Sequence, residues 1–333
     1  MLVSLLIDAC KAGSIAFLLT FFLIPLFCWF SRRYSLVDMP DGVIKKHESP
    51  IPNLGGLAVY CGFAVASLSL LHTDAEFARF LLFGSALFLF IGLIDDRVCL
   101  TPGQKFFCQS IAALFFLKMG FCFVDQSIPS LMTCVVSFWW IVTVTNAFNL
   151  IDIMDGLAAT TALGIALSLA IIALYIKAAI LVLLVALIGS LFAFLWYNKP
   201  PACIYLGDAG ALFIGGFLAV CTFLYPWSRH AMSGYLIPLF IFFVPLFELV
   251  ALIVIRTYKG IPFYLPSPDH FSMYLVRNGW NKKSILWYIG FVSLFIAGVS
   301  ILFFNQQISL VEFSISALFL VMTWLCFLTI RTV

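Results

Sequence analysis

Long apolar runs recur along the chain at about 12–30, 53–72, 78–94, 105–124, 129–148, 157–176, 178–196, 209–226, 234–255, 284–304 and 309–330, and most charged residues fall at their ends or between them. At ~1.5 Å per residue, a run of about 20 residues crosses the ~30 Å hydrocarbon core as an α-helix. A β-barrel would show short alternating segments instead, so the runs predict about eleven membrane-spanning helices. The first run is long enough to span, and no small-residue cleavage site follows it, so it reads as a membrane helix and not a removable leader. No long polar stretch divides the chain, which therefore reads as a single domain over residues 1–333. The fold class is an all-α polytopic membrane helix bundle.

Composition strengthens this reading. Apolar and aromatic residues make up 64% of the chain, Phe alone occurs 37 times, and charged residues are 10%, against about 25% in soluble domains. A water-soluble fold of this length could not cover so much apolar surface, and the same figures exclude disorder. The net charge of +3 is too small and dispersed for a nucleic-acid partner. The ten cysteines form no CxxC pair and mostly lie in apolar runs, which suits apolar filler better than disulfides or zinc.

Numbering the loops alternately puts 13 basic residues on one side and 5 on the other. The positive-inside rule makes the richer side cytoplasmic, with the N-terminus outside and the C-terminus inside. The carboxylates follow the same partition: Asp38, Asp41, Glu48, Asp95, Asp96, Asp152, Asp155, Asp208 and Asp269 all fall on the cytoplasmic side. Acidic residues contribute little to orientation, so this enrichment points to chemistry on that face.

Four clusters carry it. Asp95 and Asp96 end the third run. Two adjacent anions at a helix C-terminus oppose the macrodipole and repel each other. They are either a hydrated helix end or half of a site for a hard divalent cation, which would resolve both conflicts. In the run Asn146, Asn149, Asp152 and Asp155, oxygen-bearing side chains recur every third residue. An ideal α-helix would rotate each by about 60° from the last, whereas a tighter turn or a broken helix would keep them aligned. Helix capping alone does not require four in register. Tyr205-Leu206-Gly207-Asp208-Ala209-Gly210 opens the eighth run, where Asp208 is either an N-cap or a ligand approached closely between glycines. The longest loop, about 256–283, contributes Arg256, Lys259, Asp269, His270 and Arg277. With Lys46 and Lys105 on the same face, carboxylates for a metal and cations for phosphate point to phosphoryl-transfer chemistry. No P-loop or kinase motif is present, so ATP is not the obvious substrate.

Ile94-Asp95-Asp96, the NAFNLIDIMDGL run from Asn146 to Leu157, and YLGDAGALFIGG from Tyr205 to Gly216 resemble the polyprenyl-phosphate N-acetylhexosamine-1-phosphate transferases, relatives of the phospho-MurNAc-pentapeptide translocase. The three motifs occur in family order. The resemblance implies transfer of a sugar-1-phosphate from a UDP-sugar to undecaprenyl phosphate, with release of UMP. It implies Mg2+ or Mn2+ held by Asn149 and Asp208, and Asp95, Asp96 and Asp152 as the catalytic acids. Lys46, Lys105, Asn146, Asp155, Tyr205, His270 and Arg277 would bind substrate, with Asp155 and Tyr205 at the uracil. The implied partners are the UDP-sugar, the polyprenyl lipid and the membrane, with a homodimer as candidate assembly. The implied location is the bacterial inner membrane.

One departure stands out. Relatives usually carry several histidines in the last cytoplasmic loop, whereas this chain reads Asp269-His270-Phe271-Ser272-Met273. The missing histidines and the PIPNLGG stretch from Pro50 to Gly56 favour a UDP-N-acetylhexosamine donor, UDP-GlcNAc first, over UDP-MurNAc-pentapeptide. A secondary transporter of an anionic solute is the competing class, but transporters place ionisable groups near the bilayer midplane. Here Glu248 is the one acid clearly inside a run.

Overall fold

A computed structural model describes residues 2–35, 37–38, 50–70, 75–124, 129–227, 233–265 and 267–329. Each of the eleven apolar runs is helical, because a backbone in lipid must satisfy its own hydrogen bonds. The helices are α1 (Leu2–Arg33), α2 (Gly55–Leu70), α3 (Ala75–Val98), α4 (Pro102–Lys118), α5 (Ser130–Ile151), α6 (Leu157–Tyr175), α7 (Ile180–Asn198), α8 (Gly207–Cys221), α9 (Leu236–Ile241), α10 (Phe243–Tyr258), α11 (Phe271–Arg277), α12 (Lys282–Phe304) and α13 (Leu310–Thr329). The chain is a multi-pass membrane protein.

The run-by-run expectation of eleven full spans is not reproduced. Among the described residues eight helices are long and apolar enough to cross a bilayer. Helices α2 and α4 have only 16 and 17 residues. The apolar run 234–255 is broken into two helices, α9 and α10, meeting at 81°, which make a ninth span if the bent pair is counted as one. Pro245 accounts for the position of the break: it has no N–H to give the carbonyl of Ile241, the last residue of α9, and its ring crowds that carbonyl.

Helix α8 is the axis of the bundle, walled by α3, α5 and α2, while α1 packs on α7 and α2, and α6 on α7 and α12. Lipid tails are as apolar as the side chains, so helix association here rests on close packing and a few hydrogen bonds. Small residues allow the close approach: a Cβ on Gly92 would lie 2.4 Å from the Ala209 backbone, and one on Gly216 would lie 2.5 Å from the Phe88 ring. Trp140 Nε1 donates to the Ala219 carbonyl at 3.2 Å and the Tyr225 hydroxyl to that of Leu169 at 2.7 Å, which ties α8 and its exit to α5 and α6.

A short antiparallel pair, β1 (Val37–Asp38) with β2 (Ile51–Pro52), leads into α2. The backbone here is stitched to the segment before α8. Tyr205 N–H donates to the Pro52 carbonyl at 2.7 Å, Gly55 N–H to that of Tyr205 at 3.0 Å and Gly56 N–H to that of Leu206 at 2.9 Å. The PIPNLGG stretch therefore fixes the entry of α8. Gly56 must be glycine, because a Cβ would sit 2.2 Å from the Gly210 nitrogen.

Candidate active site

The ends of α3, α4, α5 and α8 meet at one point, and that point is the ammonium of Lys105. Its Nζ lies 2.6 Å from Asp95 Oδ2 and 3.2 Å from Asp208 Oδ2, and donates to Asn149 Oδ1 at 3.0 Å. The Asn149 amide in turn donates to the other Asp208 oxygen. Lys105 stands in the first turn of α4, whose start is set by a capping box: the Thr101 hydroxyl accepts from Gln104 N–H while Gln104 reaches back to Thr101 N–H, with Pro102 at the first helical position. Three side chains distant in sequence thus share one cation.

Asp96 has a different partner from its neighbour. Its two oxygens accept from the backbone N–H groups of Asp208 at 3.0 Å and Ala209 at 3.1 Å. These are orphan donors at the positive end of α8, where a carboxylate is favoured. Each of the two anions at this helix C-terminus faces a different protein group: Lys105 for Asp95 and the α8 N-terminus for Asp96. The turn before α8 needs the left-handed conformation of Gly207 (φ +73°), and a Cβ there would also meet Asp96 Oδ2 at 2.8 Å.

The Asn/Asp register is divided by the end of α5. Asn146 and Asn149 lie on the helix, and Asn146 exchanges hydrogen bonds with Gln109 of α4, one turn after Lys105. Asp152 then leaves the helix in a tight turn, its N–H pointing to the Asn149 carbonyl. Burial, then the charges of Asp208, Asp96 and Asp155, push its carboxyl up to about 8, although the residue as a whole keeps some exposure. Asp155 does not cap α6; that position belongs to Gly156 (φ +76°), whose N–H is taken by Asn198. Asp155 pairs instead with Lys282 at 3.0 Å, which docks the start of α12 onto the carboxylate face.

The last loop is fastened from α10. Arg256 Nε donates to the Ser267 hydroxyl at 2.9 Å and its Nη1 to the Phe263 carbonyl at 2.7 Å. Lys259 pairs with Asp269 at 2.6 Å, and Arg277 donates to the Pro268 carbonyl at 3.0 Å. Although burial alone would raise it, the Asp269 carboxyl is held below the usual range by Lys259. His270 is buried against Glu248.

The structure therefore joins Asp95, Asp96, Lys105, Asn149 and Asp208 in one cluster with Asp152 and Asn146 beside it. Asp155, His270 and Arg277 belong to contacts around the last loop, Tyr205 to the entry of α8, and Lys46 lies outside the described residues. Sequence reading gave no role to Gln109 or Lys282. Gln109 was signalled by its i+4 spacing from Lys105; Lys282 had no local signal. A cavity of about 340 Å³ lined by Phe123, Phe223, Tyr225, Trp227 and Tyr235 lies by the other end of α8 and, among the described residues, is lined by no carboxylate or lysine.

The donor set fits a hard divalent ion. Among the described residues no three His, Cys, Asp or Glu side chains form a closed metal cage. Mg2+, however, takes only one or two carboxylates and completes its shell with water and substrate phosphates. Asp95, Asp208 and the Asn149 amide already converge on a cation.

Comparison with known proteins finds relatives among transferases of membrane lipid phosphates. Residues 78–225 match the model of glycosyl transferase family 4. A probable undecaprenyl-phosphate N-acetylglucosaminyl 1-phosphate transferase of Bacillus subtilis is 30% identical over 274 residues, covering 78% of this chain and 76% of that one. A decaprenyl-phosphate N-acetylglucosaminephosphotransferase of Mycobacterium tuberculosis is 30% identical over 310 residues, covering 78% and 74%. A phospho-N-acetylmuramoyl-pentapeptide-transferase of Campylobacter jejuni is 28% identical over 341 residues, covering 86% and 92%.

Proposed function

The chain belongs to glycosyl transferase family 4, and from that premise we propose that it transfers an N-acetylhexosamine-1-phosphate, GlcNAc-1-phosphate first, from a UDP-sugar to undecaprenyl phosphate. UMP is released, and the product starts a cell-envelope glycan. The observation that carries the reading is the Lys105 cluster: carboxylates, an amide and a cation gathered at adjoining helix ends of a membrane bundle. The excess of basic residues in the same loops favours the cytoplasmic face of the inner membrane, with the N-terminus outside.

An oxygen of the lipid phosphate attacks the sugar-bearing phosphorus, and the bond from that phosphorus to the UMP oxygen breaks. The acceptor's second pKa near ~6 leaves it largely dianionic at neutral pH, so no strong base is needed. Asp95 accordingly positions groups and removes no proton. Lys105 offsets the charge of the reacting phosphates. Asp152, whose carboxyl burial and the charges of Asp208 and Asp96 push up to about 8, stands beside the cluster. Asp208 and Asn149 would hold Mg2+, which supplies neutralisation of the charge developing on UMP. Asp96 keeps the α8 N-terminus, and with it Asp208, in place.

Purified protein incubated with undecaprenyl phosphate and UDP-GlcNAc, UDP-GalNAc or UDP-MurNAc-pentapeptide tests this reading. UMP release with UDP-GlcNAc and a lipid product heavier by HexNAc-phosphate are expected. Turnover of the pentapeptide donor alone would move the chain to the peptidoglycan translocases, and no turnover of any donor would overturn the reading.

A further inference from the structure

Glu248 is a buried acid that the transfer reaction above does not use. It lies on the inner edge of α10 with Leu252 and Arg256. Its Oε1 is 3.0 Å from His270 Nδ1, and its two oxygens accept the Phe271 N–H at 3.2 and 3.3 Å. Glu248 and His270 are both nearly inaccessible, at 4% and 5% exposure. Acids inside membrane helices are costly to bury and are retained where they have a specific partner.

An ionised carboxylate only accepts hydrogen bonds. With Glu248 ionised, the contact places a proton of His270 on Nδ1, as when a carboxylate fixes the orientation of a metal-bound or catalytic imidazole. The backbone pins the same residue from the other side: the His270 carbonyl accepts from Met273 N–H at 2.9 Å and Tyr274 N–H at 3.1 Å. No hydrogen bond from Nε2 to the described residues is present, yet Nε2 is not among the fully enclosed polar atoms left without a partner. One nitrogen is held, and the other makes no hydrogen bond among the described residues. The loop that carries His270 runs through α11 to Lys282, which pairs with Asp155 on the carboxylate face, and α10 packs along α5, which bears Asn146 and Asn149.

We propose that Glu248 is a positioning residue for the nucleotide-sugar donor: by holding His270 through Nδ1, it presents Nε2 to the donor. This rests on the transferase reading. Glu248 acts only through His270, so its effect belongs to donor binding and not to the lipid acceptor.

The chain has four histidines, so 15N-histidine NMR of the full protein in detergent is tractable, with the His270 signals identified by their loss in His270→Gln. Wild-type His270 should carry a proton on Nδ1, and its Nε2 signal should move when UDP-GlcNAc is added. A proton on Nε2 alone would overturn the proposal. In turnover assays Glu248→Leu, which keeps bulk and removes both acceptors, should raise the donor KM about tenfold and leave the KM for undecaprenyl phosphate unchanged, while Glu248→Gln, which keeps one acceptor, should be milder. His270→Gln should match Glu248→Leu, and the double variant should be no worse than His270→Gln. Losses that multiply, or an unchanged donor KM in Glu248→Leu, would reduce Glu248 to a brace for α11. Failure of the transferase reading would be separate: wild-type protein would release UMP from no UDP-sugar.

Discussion

Replacing Lys105 by Met removes the cation that Asp95 and Asp208 share among the described residues and keeps most of the aliphatic stem. The Lys105 and Asp95 side chains are 14% and 7% exposed, whereas Asp208 is 34% exposed. Leaving a buried charge without its partner costs about 3–5 kcal/mol. A unit charge pair at ~4 Å is worth about 4 kcal/mol at an effective dielectric of ~20. The partial exposure of Asp208 puts the expected loss near the lower end, about 3 kcal/mol. A divalent cation should return much of this, because the variant has an oxygen-lined gap that the ammonium fills in the wild type. At a hundredfold excess over its Kd, a bound ion contributes about 2.7 kcal/mol. Thermal unfolding in detergent, followed by the fluorescence of the eight tryptophans, measures both effects. Lys105→Met should unfold at a lower temperature than wild type in EDTA and gain more from Mg2+. A variant as stable as wild type in EDTA, or an equal Mg2+ gain in both, would refute the shared-cation reading.

Asp208→Ala should abolish UMP release while the protein still folds, and EDTA should do the same to wild type; a wild-type rate in either case would remove Asp208 or the metal from the reaction. Asp152 gives a pH dependence: with its carboxyl raised from 3.8 to about 8, the folded state binds the extra proton, so stability falls as pH rises through that window. In EDTA, Asp152→Asn lacks this loss, so its advantage over wild type should grow from about pH 4 to about pH 8 and disappear below; a constant difference would contradict the burial of an acid there. Single cysteines at 306 and 283 in a Cys-free background should be labelled from outside and from the cytoplasm respectively, and the reverse would invert the bundle.

Much of the fold was legible because lipid leaves the backbone few options, and each of the eleven apolar runs became helix. The break between α9 and α10 was not, since hydropathy is continuous across Phe242 and only Pro238 and Pro245 mark the place. The site motifs were legible as residues but not as partners. Asp95 and Asp96 look equivalent in sequence; the path of α8 across the end of α3 makes one a lysine's partner and the other a helix cap. Glu248 stood out as an acid inside an apolar run, but its partner lies 22 residues away across a loop whose course no local pattern dictates. Lys282 was hidden for the same reason.

The shortness of α4 bears on how a water-insoluble substrate is met. Seventeen residues make a helix of about 26 Å, less than the ~30 Å hydrocarbon thickness. If its outer end reaches the outer boundary, the first turn with Lys105 is sunk a few ångströms below the inner headgroup plane. An enzyme reaching down from the cytosol would have to draw a polyprenyl chain upward, at about 0.8 kcal/mol for each methylene exposed to water. On the proposed transferase reading, a recessed lysine–carboxylate cluster would reverse the traffic: the lipid phosphate would slide in at its resting depth while the hydrophilic nucleotide descended to it. The penalty would then fall on the soluble partner, whose charges the helix ends would receive.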